Sequence, residues 1–147
     1  MTHRTRFASL AMLGIGLLLA PAASLGAQEF KIVAHAATDV GDLSAATAAR
    51  IFLKQDKKFP SGSVATPVDQ AKTVAVRGTF TREIHSRSVS AVETYWQQQL
   101  FSGRDTPPES KAGDNDVLAF VKSTPGAIGY VSAGATVPAG VKVITLK

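Results

Sequence analysis

The sequence contains no cysteine among its 147 residues, and this absence excludes several classes of protein. Disulfide-stapled scaffolds and thiolate metal sites are excluded, because both need cysteine sulfur. Histidine is almost as scarce, since only His35 and His85 occur after residue 27, and they lie far apart in the chain. We therefore expect neither a metal site nor a dependence on an oxidising compartment.

Long hydrophobic runs are also missing. The apolar stretch LAMLGIGLLLA, residues 10–20, is shorter than the roughly 20 residues that span a bilayer. It follows a basic start and precedes small residues that end at Ala27. Basic, apolar and small-residue regions in this order indicate a secretory signal peptide. We expect a cleaved signal over residues 1–27, a mature domain over residues 28–147 and a periplasmic location. A membrane anchor is the alternative.

The mature domain lacks a long basic run and an aromatic–basic stripe. Without Arg4 and Arg6, the 16 basic residues become 14, against 11 acidic residues, which gives residues 28–147 a net charge of +3. This mild excess tolerates acidic partners and does not require nucleic acid, so no nucleic-acid partner is expected. The 120 mature residues (147 − 27) suffice for one domain and are too few for two lobes.

Hydrophobic periodicity predicts strands that alternate with helices. The predicted strands are residues 30–36, 64–68, 127–131 and 141–146, with a further extended piece at residues 73–76. The predicted helices are residues 45–53, 79–86, 90–101 and, capped by Asp114 or Asn115, a last one ending at residue 123. Residues 102–114 are predicted to be a turn-rich connection. This alternation favours an α/β fold with a mixed sheet flanked by helices.

Three apolar side chains of the third predicted helix, Val92, Trp96 and Leu100, fall on one stripe. We therefore predict that Trp96 lies in the core rather than in a ligand site.

Motifs for catalysis are absent. The sequence has no G-x-S-x-G, no H-E-x-x-H and no P-loop. His85 has Ser86 as its immediate neighbour on a predicted helix, and adjacent helical positions do not face each other. Asp114 and Asp116 have the pattern of capping and solvent-facing residues. We expect that the protein is not an enzyme.

The stretch VRGTFTRE, residues 76–83, contains the parts of an anion site. Arg77 provides a planar fork of donors, and Gly78 lets the backbone approach a ligand closely. Thr79 adds a hydroxyl and is predicted to cap a helix, whose N-terminus has unpaired N–H groups. The alternative, which we favour, is that Thr79 only caps the helix and Arg77 is a solvated surface charge.

Two further residues are candidates for the same site. An ionised Asp69 can accept a hydrogen bond from a protonated phosphate oxygen, or it can pair with Lys72 at the surface, which we favour. In TPGAIGYV, residues 124–131, Pro125 and Gly126 stop a helix before a core strand. Tyr130 on that strand is then either a core residue or a residue that faces a ligand cleft.

Four segments taken together resemble a known family. In chain order they are LSAATAARIFLKQDKKFPSGSVATPVD, GTFTREI, YWQQQLFSGRDTPP and VLAFVKSTPGAIGYV. They resemble the phosphate-type substrate-binding proteins of ABC transporters, in particular the short single-domain members. The resemblance covers about residues 43–146 and implies one periplasmic-binding-protein-like (type 2) lobe. It also implies that residues 77–79 lie where two-lobed members place a Ser/Gly/Thr-rich anion loop.

The resemblance implies a periplasmic solute-binding domain for uptake or sensing. Its ligand would be inorganic phosphate or a similar oxyanion, with no cofactor, and its partner an ABC transporter permease or another periplasmic or membrane protein. The sequence departs from the family where an Arg-Ser-Asp segment is expected, since Asp69, Gln70 and Ala71 stand near that place. A lone lobe would bind weakly, or a homodimer or a partner would complete the cleft. The alternative function is a protein-interaction or sensory module that keeps the fold without the ligand.

Overall fold

The computed structural model describes residues 29–147, which form five strands and four helices. In chain order these are β1 (Phe30–His35), α1 (Ala45–Phe52), β2 (Thr66–Gln70), α2 (Ala75–His85), α3 (Val89–Phe101), β3 (Glu109–Lys111), α4 (Asp114–Ser123), β4 (Ala127–Ser132) and β5 (Val141–Ile144). The predicted signal peptide lies outside the described residues. Among residues 29–147, no helix is both long and apolar enough to cross a membrane.

The five strands form one mixed sheet in the order β3-β2-β4-β1-β5. β2 pairs in parallel with both β3 and β4, whereas β1 pairs antiparallel with β4 and β5. The predicted α/β fold, with a mixed sheet flanked by helices, is confirmed. The carboxyl ends of β2, β3 and β4 therefore lie along the same edge of the sheet.

Successive side chains of a strand point to opposite faces of the sheet, and here both faces carry apolar side chains. Helices therefore cover both faces. On one face α1 and α2 pack over a core that includes Phe30, Ile32, Phe52, Phe80 and Tyr130. On the other face α4 packs over a core that includes Val33, Val68, Val117, Val121 and Val131. This arrangement makes the domain a three-layer structure with the sheet in the middle.

A third, smaller cluster joins Leu53, Val92 and Trp96. Trp96 is 5% exposed, so its predicted place in the core is confirmed, but it also lines the cleft that is described below. Leu100, predicted on the same stripe, lies beyond this cluster near the end of α3 and is 51% exposed.

The helix starts agree only partly with the predictions. The hydroxyl of Ser44 accepts a hydrogen bond from the Thr47 amide at 3.1 Å and caps α1, as predicted. Neither Asp114 nor Asn115 caps α4, because the cap position belongs to Gly113. The Asp114 carboxylate instead accepts hydrogen bonds from other parts of the chain, which are described below.

The prediction for residues 73–76 was wrong, because α2 begins at Ala75 rather than at Thr79. The cap residue, Val74, has an extended backbone and no side-chain hydrogen bond to the helix. Thr79 therefore lies inside the helix, where its hydroxyl donates to the Glu29 carboxylate at 3.2 Å. Apolar residues at positions 74 and 76 suit a strand locally, but the packing of Val76 against the α1–α2 core favours the helix.

The short strand β3 was predicted to be part of a turn-rich connection. Its three residues are Glu109, Ser110 and Lys111, which carry no apolar alternation. They form a strand because they pair in parallel with Val68, Asp69 and Gln70 of β2 at the edge of the sheet. A short, charged edge strand is a common protection against unwanted pairing with other chains.

Candidate functional site: the cleft at the Asp69–Arg77 pair

The candidate site lies at the carboxyl end of β2. From β2 the chain passes through α2 and α3 to β3 on one side, and then through α4 to β4 on the other side. α2 and α4 pack on opposite faces of the sheet. β2 is thus the point at which the strand order reverses, and ligands of open α/β sheets bind at such points, outside the carboxyl ends of the strands.

A buried ion pair joins β2 to the first turn of α2. Arg77 is 7% exposed, and its Nη1 lies 2.8 Å from the Asp69 carboxylate. The same nitrogen donates a hydrogen bond to the Gln70 carbonyl at 2.6 Å. The expected alternative of a solvated Arg77 is therefore wrong, because a helix that begins at Ala75 turns the Arg77 side chain back onto β2.

Asp69 accepts two further hydrogen bonds. Its Oδ1 accepts from the Gln70 amide at 2.8 Å and from the hydroxyl of Tyr130. The predicted Asp69–Lys72 pair is not formed, because Arg77 occupies the carboxylate and Lys72 lies 3.6 Å from Glu93 instead. The carboxylate is thus held in one orientation by three donors.

Gln70 links this pair to α4. Its side-chain amide donates to the Tyr130 carbonyl at 2.8 Å and to Asp114 Oδ1 at 2.9 Å. The same Asp114 oxygen accepts from the Ser132 amide at 3.0 Å. One buried glutamine therefore connects the start of α4 with β2 and β4, close to the start of α2.

Two buried polar atoms of this network have no hydrogen-bond partner among the described residues. They are the side-chain carbonyl oxygen of Gln70 and the Nε of Arg77. Buried polar groups nearly always have a partner, and those without one call for an explanation such as a ligand or water. The network thus retains one donor and one acceptor that the protein itself does not use.

Burial and hydrogen bonding shift the pKa values of the acidic groups in different directions. Burial raises the pKa of Asp69, although the charge of Arg77 and the hydrogen bonds from Tyr130 and Gln70 oppose it. Burial and the neighbouring Asp69 raise the pKa of the Tyr130 hydroxyl, which therefore stays protonated as a donor. At Asp114 burial alone would raise the pKa, but the hydrogen bonds from Gln70 and Ser132 have the larger combined effect, so the pKa is lowered.

The Asp69–Arg77 pair opens onto a cleft of about 430 Å³. Its charged lining residues are Lys72 and Glu93 together with Asp69 and Arg77. Apolar side chains also line it, namely Trp96, Leu100, Pro107 and Pro108, and we call these four its apolar wall. The cleft thus combines charged and apolar lining residues, and we call it the Asp69–Arg77 cleft.

The five predicted site residues do not all reach this cleft. Asp69 and Arg77 line it, and Tyr130, which is fully buried, approaches it only through its hydrogen bond to Asp69. Gly78 lines a separate surface depression that contains Arg82 and Arg87, and Thr79 bonds to Glu29. The site that was predicted as a loop over residues 77–79 is therefore divided between different sides of one helix.

Sequence reasoning missed Gln70, Asp114 and the apolar wall of the cleft. Gln70 and Asp114 are 44 residues apart, and no local pattern indicates that they meet.

Within residues 29–147, no group of three or more His, Cys, Asp or Glu side chains is arranged to hold a metal ion.

The sequence matches no protein-family model and no curated protein, but its structure resembles several solved structures. A protein from Clostridium perfringens, described as a phosphate ABC transporter substrate-binding protein with bound phosphate, has a TM-score of 0.64 at 13% identity, over 80% of this chain and 44% of its own. An ABC-type phosphate transport receptor from Vibrio cholerae has a TM-score of 0.61 at 18% identity, over 79% of this chain and 45% of its own.

PstS from Borrelia burgdorferi is similar as well, with a TM-score of 0.56 at 8% identity, over 81% of this chain and 47% of its own. This chain has the fold of the phosphate-type substrate-binding proteins. The fold that the sequence resemblance implied is thereby confirmed. The chain spans less than half the length of each of these three proteins.

Proposed function

We propose that residues 28–147 form a periplasmic solute-binding domain that takes phosphate or a similar oxyanion in the Asp69–Arg77 cleft. One observation carries this proposal. A guanidinium and a carboxylate lie 2.8 Å apart at the side of an open cleft, where the strand order of the sheet reverses. The phosphate-type substrate-binding fold supports the same assignment.

The two groups suit an oxyanion that carries both negative charge and a proton. Arg77, whose side chain lines the cleft, and the exposed Lys72 supply donors for the phosphate oxygens. Asp69 supplies an acceptor for a protonated phosphate oxygen. Sulfate has no proton at neutral pH, so Asp69 repels it. We therefore expect phosphate and arsenate to bind more tightly than sulfate.

The cleft is open, and a lone domain leaves one side of a ligand in water. We infer that a second copy of the chain, an ABC transporter permease or another periplasmic or membrane protein closes it. A cleaved signal peptide over residues 1–27 would bring the domain to the periplasm. We assign no enzymatic step to the cleft, because its lining holds no nucleophile paired with a base.

The test is thermal unfolding with phosphate, arsenate and sulfate at increasing concentration, because a ligand that binds the folded state raises the melting temperature by mass action. Arg77→Ala should abolish the phosphate shift, but it also breaks the ion pair. Lys72→Ala is the sharper variant, because Lys72 is exposed, and it should reduce the shift. Lys122→Ala, an exposed lysine on α4 outside this cleft, is the control and should leave the shift unchanged. A melting temperature that stays unchanged in millimolar phosphate would contradict the proposal.

A protein-interaction or sensory module is the second candidate function, and one observation favours it. Phe101 is 92% exposed at the end of α3, next to the half-exposed Leu100. Such a pair of apolar side chains suits a protein contact. Under this alternative phosphate leaves the melting temperature unchanged, and Phe101→Ser abolishes binding to the partner that the wild-type protein binds.

A further inference from the structure

We propose that the Asp69–Arg77 cleft prefers a phosphate monoester with an aromatic or other apolar group over inorganic phosphate. This inference rests on the proposed function, because it assigns the ligand class of the same site.

The size of the cleft is the first argument. Its volume of about 430 Å³ falls in the range of roughly 300–1,000 Å³ that is usual for sites of small organic molecules. A single tetrahedral anion at Asp69 and Arg77 would leave most of this volume unfilled. The remaining space extends toward the end of α3 and the segment before β3, where Leu100 and Pro107 line it.

The chemistry of the apolar wall is the second argument. Trp96 contributes the 5% of its surface that is exposed, and Pro107 and Pro108 contribute rigid rings. Leu100 is 51% exposed, although it belongs to the cleft lining. An organic group placed against these side chains would remove their apolar surface from water, which favours binding in proportion to the area covered.

The charge balance is the third argument. The lining holds two cations, Lys72 and Arg77, and two anions, Asp69 and Glu93, so their formal charges cancel. A cleft without net positive charge attracts a dianion only weakly, so it favours the monoanionic form of a phosphate ligand, which keeps a proton for Asp69. Arg77 and Asp69 can orient a phosphate group by hydrogen bonds, but much of the binding free energy then has to come from the apolar part of the ligand.

Isothermal titration calorimetry with phenyl phosphate and inorganic phosphate at about pH 5.5 tests the inference, because a phosphate monoester, whose second pKa is about 6, then keeps the proton that Asp69 accepts. We expect phenyl phosphate to bind at least about tenfold more tightly, which corresponds to 1.4 kcal/mol or more. If inorganic phosphate binds as tightly or more tightly, the inference is wrong and the proposed function stands. If neither compound binds up to millimolar concentration, both are wrong.

A pair of matched variants locates the apolar contact. Leu100→Ser should weaken phenyl phosphate about fivefold or more and leave inorganic phosphate unchanged. Val143→Ser is the control, because Val143 is also 51% exposed but lies on β5 at the far edge of the sheet. Both side chains are on the surface, so circular dichroism should show folded variants. Equal effects of Leu100→Ser on the two ligands, or no effect on either, would overturn the assignment.

Discussion

The guanidinium of Arg77 lies 2.8 Å from the carboxylate of Asp69, and the two side chains are only 8% and 15% exposed. Their attraction has to offset the loss of hydration of both charges, so the pair adds less to net stability than its geometry suggests. It is nevertheless costly to break, because removal of one partner leaves the other charge buried without compensation. The pair therefore adds little to the net stability, but a single substitution of either residue should lower the stability measurably.

Arg77→Met should lower the free energy of unfolding by about 3–5 kcal/mol, since it leaves the Asp69 carboxylate without its cation. Adding Asp69→Asn should restore part of this loss, because a neutral amide needs no counter-charge. Urea unfolding of the wild type, both single variants and the double variant measures the effect. A double variant whose loss equals the sum of the single losses would show that the two residues are not coupled.

Tyr130→Phe should lower the free energy of unfolding by about 1–2 kcal/mol, because the buried Asp69 loses a hydrogen-bond donor. The packing should remain, since the Tyr130 ring stacks on Phe80 with centroids 3.8 Å apart and an interplanar angle of 4°. Denaturant unfolding measures the loss, and near-ultraviolet circular dichroism checks that the core is intact. An unchanged stability would mean that the hydroxyl contributes nothing to holding Asp69.

The stability of the domain should fall in mild acid because of His85. Burial, together with the positive charges of Arg77 and Arg87, lowers the pKa of His85 from 6.5 to about 4. The unfolded chain therefore takes up a proton below pH 6.5, whereas the folded chain resists it. The contribution of His85 is fully present above pH 6.5 and is lost as the pH falls toward 4, by at most about 3 kcal/mol.

Urea unfolding at pH 7.5 and at pH 4.5 measures this loss. His85→Gln should reduce the difference between the two pH values, because glutamine does not titrate, while His35→Gln serves as the control. The raised pKa of Asp69 makes the domain more stable as the pH falls, which opposes the effect of His85. This contribution is the same in the wild type and in His85→Gln, so it cancels when the two are compared. An acid sensitivity that persists unchanged in His85→Gln would exclude His85 as its source.

Gly126→Ala should destabilise the domain by about 1–3 kcal/mol or more. Gly126 has a φ of +83°, which a residue with a Cβ adopts only at a cost of that order. An added Cβ would also lie 2.6 Å from the Val64 carbonyl oxygen. Gly134→Ala is the matched control, because a Cβ there meets nothing within 4 Å, and it should change stability by less than about 0.5 kcal/mol. Similar melting temperatures for the two variants would contradict this account.

Local signals in the sequence are enough to predict several elements of the fold. α1 follows from Ser44 and the apolar spacing of Ala48 and Ile51, and β4 follows from a buried apolar run after Pro125 and Gly126. Such signals depend only on residues within a few positions of each other, so they can be recognised in a single sequence. The four segments that resemble the phosphate-type substrate-binding proteins also allowed the fold of the domain to be predicted.

The construction of the candidate site depends on contacts between distant parts of the chain, which the local signals do not contain. Glu109–Lys111 becomes a strand because β2 offers it a parallel partner, not because of its own composition. Arg77 turns onto Asp69 because packing starts α2 at Ala75, four residues before the start that the sequence suggests. Contacts between distant residues depend on which strands pair and on where each helix crosses the sheet, and no local pattern in one sequence contains that information.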